Sequence, residues 1–500
     1  MASDVIAETQ PIPDTSGIGG QPPGLSTLFF TEMWERFSYY GMRALLVLFL
    51  TATLQKGGFG LDDPTATAIY GLYTASVYLS GLPGGWIADR ILGHRRSVFV
   101  GGIIIAAGHF SMALGWVGTF YAGLVLIVIG TGLLKPNVSA IVGDLYPEGG
   151  VRRDAGFSIF YSGINLGAFI GPLICGYLGE KVNWHLGFGA AGVGMVLGVI
   201  QYRLGYKRLG TGGLRDLKSS DKVAASRMLF AAIGGAVLII AIIVLLNSRG
   251  AIAVSPLGAA KSLGFLIPLL AICYFGYQIF FGGFSSIEKK RIGVIFVLFV
   301  AATMFWAGYE QAGSSMNLFA ERLTNRVIGG WEMPTSWLQS VNPILVILFA
   351  PAFGALWVKL REHAPSIPAK FGLGLVQLGV GFAVLAWASV YVGDPANPSK
   401  VGVGWLVATY FFHTTGELCL SPVGLSAMTK LSPAKLVGQM MGMWFMASSL
   451  GNLIAGLLAG KMGSFGLVQL FGAVALWVGA AGLLLLLISR PVKRLMGGVQ

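Results

Sequence analysis

Residues 28–54 read LFFTEMWERFSYYGMRALLVLFLTATL. The run is apolar enough to cross a bilayer, yet Glu32, Glu35, Arg36 and Arg43 stand in its middle. A charge near the bilayer centre costs roughly 2.5 to 3.5 kcal/mol on insertion scales, so four of them require neighbouring structure to offset about 10 to 14 kcal/mol. At about 100° per residue, with Glu32 at 0°, Glu35 falls near −60°, Arg36 near 40°, Tyr40 near 80° and Arg43 near 20°. One helix face therefore carries every polar group. That face must look into a polar interior within the membrane, where something charged binds or moves.

The rest of the chain fits this reading. It is 55% hydrophobic and 11% charged, with a mean hydropathy of +0.73, which places it among polytopic membrane proteins. A net charge of +13 raises the question of nucleic acid, but no long soluble segment could present a phosphate-binding patch, so no nucleic-acid partner is expected. Cys175, Cys273 and Cys419 lie in apolar runs without metal-ligand spacing and read as core residues. Residues 1–26 hold no Lys or Arg and are rich in Pro, Gly and Thr; a disordered tail is expected there, and no cleaved signal peptide.

Apolar runs of membrane-crossing length recur at 27–54, 67–89, 97–117, 119–143, 155–179, 185–205, 227–247, 260–282, 292–317, 336–359, 370–393, 402–429, 436–461 and 465–489, fourteen in all. An even count puts both termini on one side. With that side cytoplasmic, 23 Lys and Arg residues fall inside and 8 outside, and the buried Arg36, Arg43 and Lys135 complete the 34. An all-α membrane protein with both termini cytoplasmic is expected. Its parts are the tail, a six-helix bundle over 27–206, a linker with two extra helices over 207–290, a second six-helix bundle over 291–490 and a tail over 491–500. Two six-helix halves enclosing a site near the midplane is the plan of many secondary transporters. The extra pair carries no intramembrane charge and reads as lipid-facing scaffold.

Outside the first span the buried ionisable residues are Lys135, Glu310 and Glu417, so four acids face three bases. The unmatched carboxylate favours taking up a proton in a low dielectric, which points to proton binding before any family is considered. Polar and aromatic neighbours continue the charged faces at helical spacing: Trp306 with Glu310, Tyr161 with Asn165, and His413, Glu417 and Ser421 over two turns. Tyr78, Asn165 and Asn342 fit cargo contact and interhelical bonding equally well. Trp306, Trp444 and His413 read more simply as packing residues. Lys135-Pro136, Asn342-Pro343 and Ser421-Pro422 place helix breakers beside candidate site residues.

Gly85-Trp-Ile-Ala-Asp89-Arg90-Ile-Leu-Gly93-His-Arg95-Arg96 resembles the loop motif of the major facilitator superfamily, where such charges latch the cytoplasmic side. There is no phosphate-cradling glycine loop, metal pair or nucleophile elbow, so neither an enzyme nor ATP as energy source is expected. Glu32-Met-Trp-Glu35-Arg36-Phe-Ser-Tyr-Tyr40 is similar to the E-x-x-E-R-F-x-Y-Y signature of the proton-dependent oligopeptide transporter family. Phe160-Tyr161-Ser-Gly-Ile-Asn165-Leu-Gly and Glu417-Leu-Cys-Leu-Ser421-Pro-Val-Gly resemble its fifth-helix and tenth-helix motifs.

The resemblance implies a major facilitator fold of two six-helix bundles plus two helices, and a proton-coupled symporter of di- and tripeptides working by alternating access in the plasma membrane, the bacterial inner membrane. Glu32, Glu35, Arg36 and Glu310 would form the proton-coupling set. Arg43 and Lys135, with Tyr40 and Tyr78, would engage the peptide carboxylate, and Glu417 its amino terminus. Asn165 and Asn342 would contact the peptide backbone, Trp306 and Trp444 would wall its side-chain pockets, and Tyr161 and Ser421 occupy motif positions beside them. Arg43 with Glu310 and Lys135 with Glu417 would act as gating salt bridges. Protons are the coupling ion and no other cofactor is expected; the bilayer and small peptides are the partners, and a monomer without an obligate protein partner is expected. A carrier of nitrate or another small organic anion and a multidrug antiporter of the same fold are the alternatives.

Overall fold

The computed structural model describes residues 14–215, 219–251, 253–393 and 397–499. The first half comprises α1 Pro23–Thr51, α2 Asp63–Ile87, α3 His94–Ala113, α4 Val117–Asp144, α5 Gly150–Tyr177 and α6 Trp184–Leu204. Two helices follow, α7 Ser219–Ser248 and α8 Pro256–Phe281. The second half comprises α9 Ser286–Tyr309, the short α10 Ser315–Leu323, α11 Val341–Leu360, α12 Ile367–Val392, α13 Gly404–Leu431, α14 Val437–Ala459, α15 Leu467–Leu487 and the terminal α16 Ser489–Leu495. Proline opens several of these helices, at or near the first turn of α1, α2, α8 and α12, where its missing N–H needs no partner.

Among the described residues, eleven helical segments are long and apolar enough to cross a membrane by length and composition. The long helices α1, α2 and α13 complete fourteen crossings; α1 falls outside that set because of the charges in its middle. The first and last described residues thus lie at one face, called here the terminal face. At the opposite face four two-residue strands tie the loops: β1 Thr324–Asn325 pairs in parallel with β4 Val401–Gly402, and β2 Val327–Ile328 pairs antiparallel with β3 Trp331–Glu332.

Packing places the charged face of α1. This helix lies against α5 and α6, and a Cβ on Gly167 of α5 would come within 2.1 Å of the Met33 carbonyl oxygen. Only a residue without a side chain lets the two backbones approach so closely. In the second half α12 packs on α13 and α15, and α14 on α9; α2 and α14 join the halves.

The structure differs from the sequence reading in five respects. The expected tail lies outside the described residues for 1–13, but from Asp14 onward the chain is held: Arg152 donates to the carbonyls of Asp14 and Gly20, and the Tyr146 hydroxyl donates to Gln21 at 2.8 Å. The apolar run 292–317 is not one helix. It breaks after Tyr309 into a 3-10 turn, Glu310–Gly313. Pro343 sits in the first turn of α11 and frees no interior carbonyl. The two extra helices behave differently: the membrane-spanning part of α7 buries nothing, whereas α8 packs against α2, α9 and α14 through Ala260, Ile267, Ala271 and Phe275. The loop latch is not made as expected, since Asp89 lies 3.5 Å from His94 while Arg95 turns inward to the carbonyls of Gly210 and Gly212.

Candidate functional site

A cavity of about 190 Å³ opens between the halves at mid-depth. From the first half α1 supplies Glu32, Arg36, Tyr40 and Arg43, α2 supplies Tyr78, α4 supplies Lys135, and α5 supplies Tyr161 and Asn165. Facing them, Trp306, Tyr309 and Glu310 come from the broken α9, Asn342 from the start of α11, and Tyr410, His413 and Glu417 from successive turns of α13. Twelve of the fifteen residues singled out from sequence thus line one cavity. Glu35 lies behind it, paired with Arg36. Ser421 is one turn too far along α13, its hydroxyl without a hydrogen-bond partner, and Trp444 packs on Phe371 and against Gly424.

The charges are divided between two sorts of site. Some are matched. Arg36 holds Glu35 through two hydrogen bonds, one of them 2.6 Å, and Glu32 at 3.4 Å, while its guanidinium lies 5.0 Å from the Tyr39 ring centre. Arg43 crosses between the halves to Glu310 at 2.9 Å, with both side chains at most 5% exposed. The break in α9 makes this pair. Tyr70 of α2 packs against Gly313, where a Cβ would meet its hydroxyl at 2.1 Å, so the turn that carries Glu310 sits close against the first half.

The others are left open. Lys135 has no carboxylate within ion-pair distance among the described residues, and its ammonium rests over the Tyr78 ring at 4.8 Å. Glu417, on the other side of the cavity, accepts from the Tyr309 hydroxyl at 2.5 Å and from the Asn342 amide at 3.3 Å, but meets no base among the described residues. The expected Lys135–Glu417 bridge is therefore absent in this conformation: neutral donors hold the carboxylate in place and leave it acceptor capacity for a cation. One pole of the cavity is basic and the other acidic.

Tyr309, Gln339 and Tyr410 line the cavity without having been singled out. Tyr410, three residues before His413 and seven before Glu417, lies on the face already marked by those two, and that spacing was available in the sequence. Tyr309, three residues after Trp306, likewise lies on a face already marked, whereas Gln339 reaches the cavity only through tertiary arrangement. His413 is 1% exposed and packs on Phe382 at 4.8 Å, as a packing residue does, while also bordering the cavity.

The hydrogen bonds and ion pairs described between the halves gather at mid-depth and on the opposite face. Beyond Arg43–Glu310 they include a bidentate Arg322–Asp63 pair at 2.7 and 2.8 Å and the amide of Asn317 on the Ala44 carbonyl at 2.9 Å. Tyr161, in the cavity wall yet 39% exposed, marks the side toward the terminal face. The halves are thus tied to each other at mid-depth and on the opposite face.

A model of the POT family matches residues 95–469. The chain belongs to the POT family. Its similarity extends along nearly the whole length: it is 43% identical to the peptide transporter YePEPT of Yersinia enterocolitica, covering 96% of each chain. With a di-/tripeptide transporter of Lactococcus lactis subsp. cremoris it shares 37% identity over 96% of this chain and 98% of that one. Among solved structures, a peptide transporter POT in complex with sulfate superposes with a TM-score of 0.90 at 42% identity, covering 97% of this chain and 98% of that one. A POT family transporter in complex with 5-aminolevulinic acid gives 0.88 at 33% identity, over 96% and 99%. The POT member described here is a multi-pass membrane transporter with the major facilitator fold, and not an enzyme.

Proposed function

We propose that this POT protein is a proton-coupled symporter importing di- and tripeptides across the bacterial inner membrane, with both termini cytoplasmic, acting as a monomer. The observation that carries the reading is the unmatched pair of poles, Lys135 on one side of the cavity and Glu417 on the other. A short peptide is a zwitterion whose side chains vary while its end charges do not. Fixed opposite charges orient it by those ends, and the aromatic walls tolerate the variation. A pure anion carrier would have little use for Glu417.

Proton coupling follows from the charge count. The four acids and three bases leave one negative charge, and a neutral zwitterion cannot remove it, whereas a bound proton can. Protonation of Glu310 would release Arg43 for the peptide carboxylate and loosen the closure of the opposite face; Glu32, with one carboxylate oxygen buried and unpartnered, is placed to take part. Each state then differs in what it binds, which is what biases alternating access. The bias of Lys and Arg toward the terminal face supports a cytoplasmic location for it, and in that orientation the conformation described is inward-open.

The test is uptake of Ala-Ala into proteoliposomes under an imposed inward proton gradient, with free amino acid, nitrate and a hydrophobic drug as competitors. Concentrative uptake blocked by a second dipeptide and not by nitrate or drug is expected. Competition by nitrate alone would favour the anion carrier, and efflux of drug against proton entry the antiporter.

A further inference from the structure

The 3-10 segment Thr335–Ser340 joins the opposite face to the cavity. It lies along one stripe of α5 and its continuation. Ser340 Oγ donates to the Phe169 carbonyl at 2.8 Å and Trp337 Nε1 to the Leu173 carbonyl at 2.9 Å. Gly176 leaves room for Ser336, whose Oγ would lie 1.9 Å from a Cβ there. Glu180 closes the row, accepting from the backbone N–H of Thr335 at 2.7 Å, the N–H of Ser336 at 2.8 Å and the Ser336 hydroxyl at 2.6 Å. The spacing 169, 173, 176, 180 is a single helical face, so the segment is zipped to the first half over three turns.

Five hydrogen bonds cross the seam. Hydrogen bonds of this kind exchange for water at modest net cost, so the seam can part and reform in a way that an apolar one cannot. The same segment also faces inward. Gln339 borders the cavity, is 9% exposed, and its Nε2 has no hydrogen-bond partner. A buried amide donor without an acceptor is an unfavourable arrangement unless a ligand completes it.

We propose that Thr335–Ser340 is a cargo-responsive gate, latched to the first half by Glu180 and sensing the cavity through Gln339, which donates to a carbonyl oxygen of the bound peptide. The sensing half rests on the peptide-transporter reading above; the latch half does not. Cargo that satisfies Gln339 stabilises the docked segment and so keeps the opposite face closed behind it. Glu180 is a positioning residue and touches no cargo.

The experiment is hydrogen exchange of the backbone amides in 335–340, with and without Ala-Ala, on the full-length protein in lipid nanodiscs. In the parent, Ala-Ala should slow exchange across the segment. Glu180→Gln turns an amide donor toward the Thr335 or Ser336 N–H and removes the charge, so exchange at these amides should rise at least about tenfold without cargo. Gly176→Ala, which displaces Ser336 without altering the carboxylate, should do the same and guards against an effect peculiar to one variant. Gln339→Leu should leave the cargo-free rates unchanged, weaken Ala-Ala binding about threefold to tenfold, and abolish the cargo-dependent slowing. Cargo-free exchange within twofold of the parent in both latch variants would overturn the latch. Full cargo-dependent slowing in Gln339→Leu would overturn the sensing role. A parent that bound Ala-Ala without any slowing would overturn the sensing role alone, and one that bound no Ala-Ala would overturn the peptide reading, while the cargo-free comparison would still decide the latch.

Discussion

Replacing Glu417 by Gln is the sharpest perturbation of cargo orientation. The carboxylate is held by the Tyr309 hydroxyl at 2.5 Å and the Asn342 amide at 3.3 Å, and the amide oxygen of a glutamine can keep accepting from Tyr309, so the pocket should retain its shape. What is lost is the negative charge available to the peptide ammonium. A hydrogen bond to a charged group contributes about 1.5 to 3 kcal/mol, which corresponds to roughly a 10-fold to 150-fold preference of the parent for Ala-Ala over N-acetyl-Ala-Ala. In Glu417→Gln that ratio should fall to within about threefold, chiefly through weaker binding of the free dipeptide. Competition of each ligand against a labelled dipeptide in a counterflow assay, without a pH gradient, measures the ratio directly. Equal affinity of the parent for both ligands, or a variant that keeps the parent's preference, would refute the assignment of Glu417 to the amine.

Glu32→Gln, Glu35→Gln and Glu310→Gln should each depress gradient-driven uptake more than equilibrium exchange; a variant that concentrates peptide as well as the parent would leave the coupling set. Arg43→Ala and Glu310→Gln should be non-additive, coupled by about 0.5 to 3 kcal/mol in the balance between open and closed opposite face, as read from spin-label distances across it. Gly167→Ala places a methyl group 2.1 Å from the Met33 carbonyl and should cost about 1 to 3 kcal/mol, seen as a lower thermal unfolding midpoint. Arg322→Ala removes a bidentate partner of Asp63, but Arg322 is 41% exposed, so its effect on stability should stay below about 1 kcal/mol and shrink further in high salt.

What the sequence made legible was whatever the membrane penalises. Charges in α1 can persist only with polar partners, so the face of Glu32, Arg36 and Arg43 was readable, as were Lys135, Glu310 and Glu417 in otherwise apolar runs, while Glu35, expected on the same face, lies behind it against Arg36. Relations across helices were not. Hydropathy reads the run 292–317 as one apolar span, and the close approach of Tyr70 from α2 to Gly313, at the end of the 3-10 turn, is a relation between helices that it does not carry. Tyr309 reaches Glu417 across 108 positions of chain, and Gln339 reaches the cavity from a loop that hydropathy reads as the start of a span. Lys135 and Glu417 were expected to pair, and the structure leaves both open. Whether two such groups pair is set by how the two halves are arranged, which a sequence does not specify.

The central claim is that proton and peptide enter together. It is tested most directly by proteoliposomes that trap a pH-sensitive dye, energised by an inside-negative potential and given Ala-Ala from outside. Immediate internal acidification that requires Ala-Ala, saturates with it, and disappears when Lys135 is replaced by Ala is the predicted result. Accumulation of labelled Ala-Ala without any acidification would contradict the account.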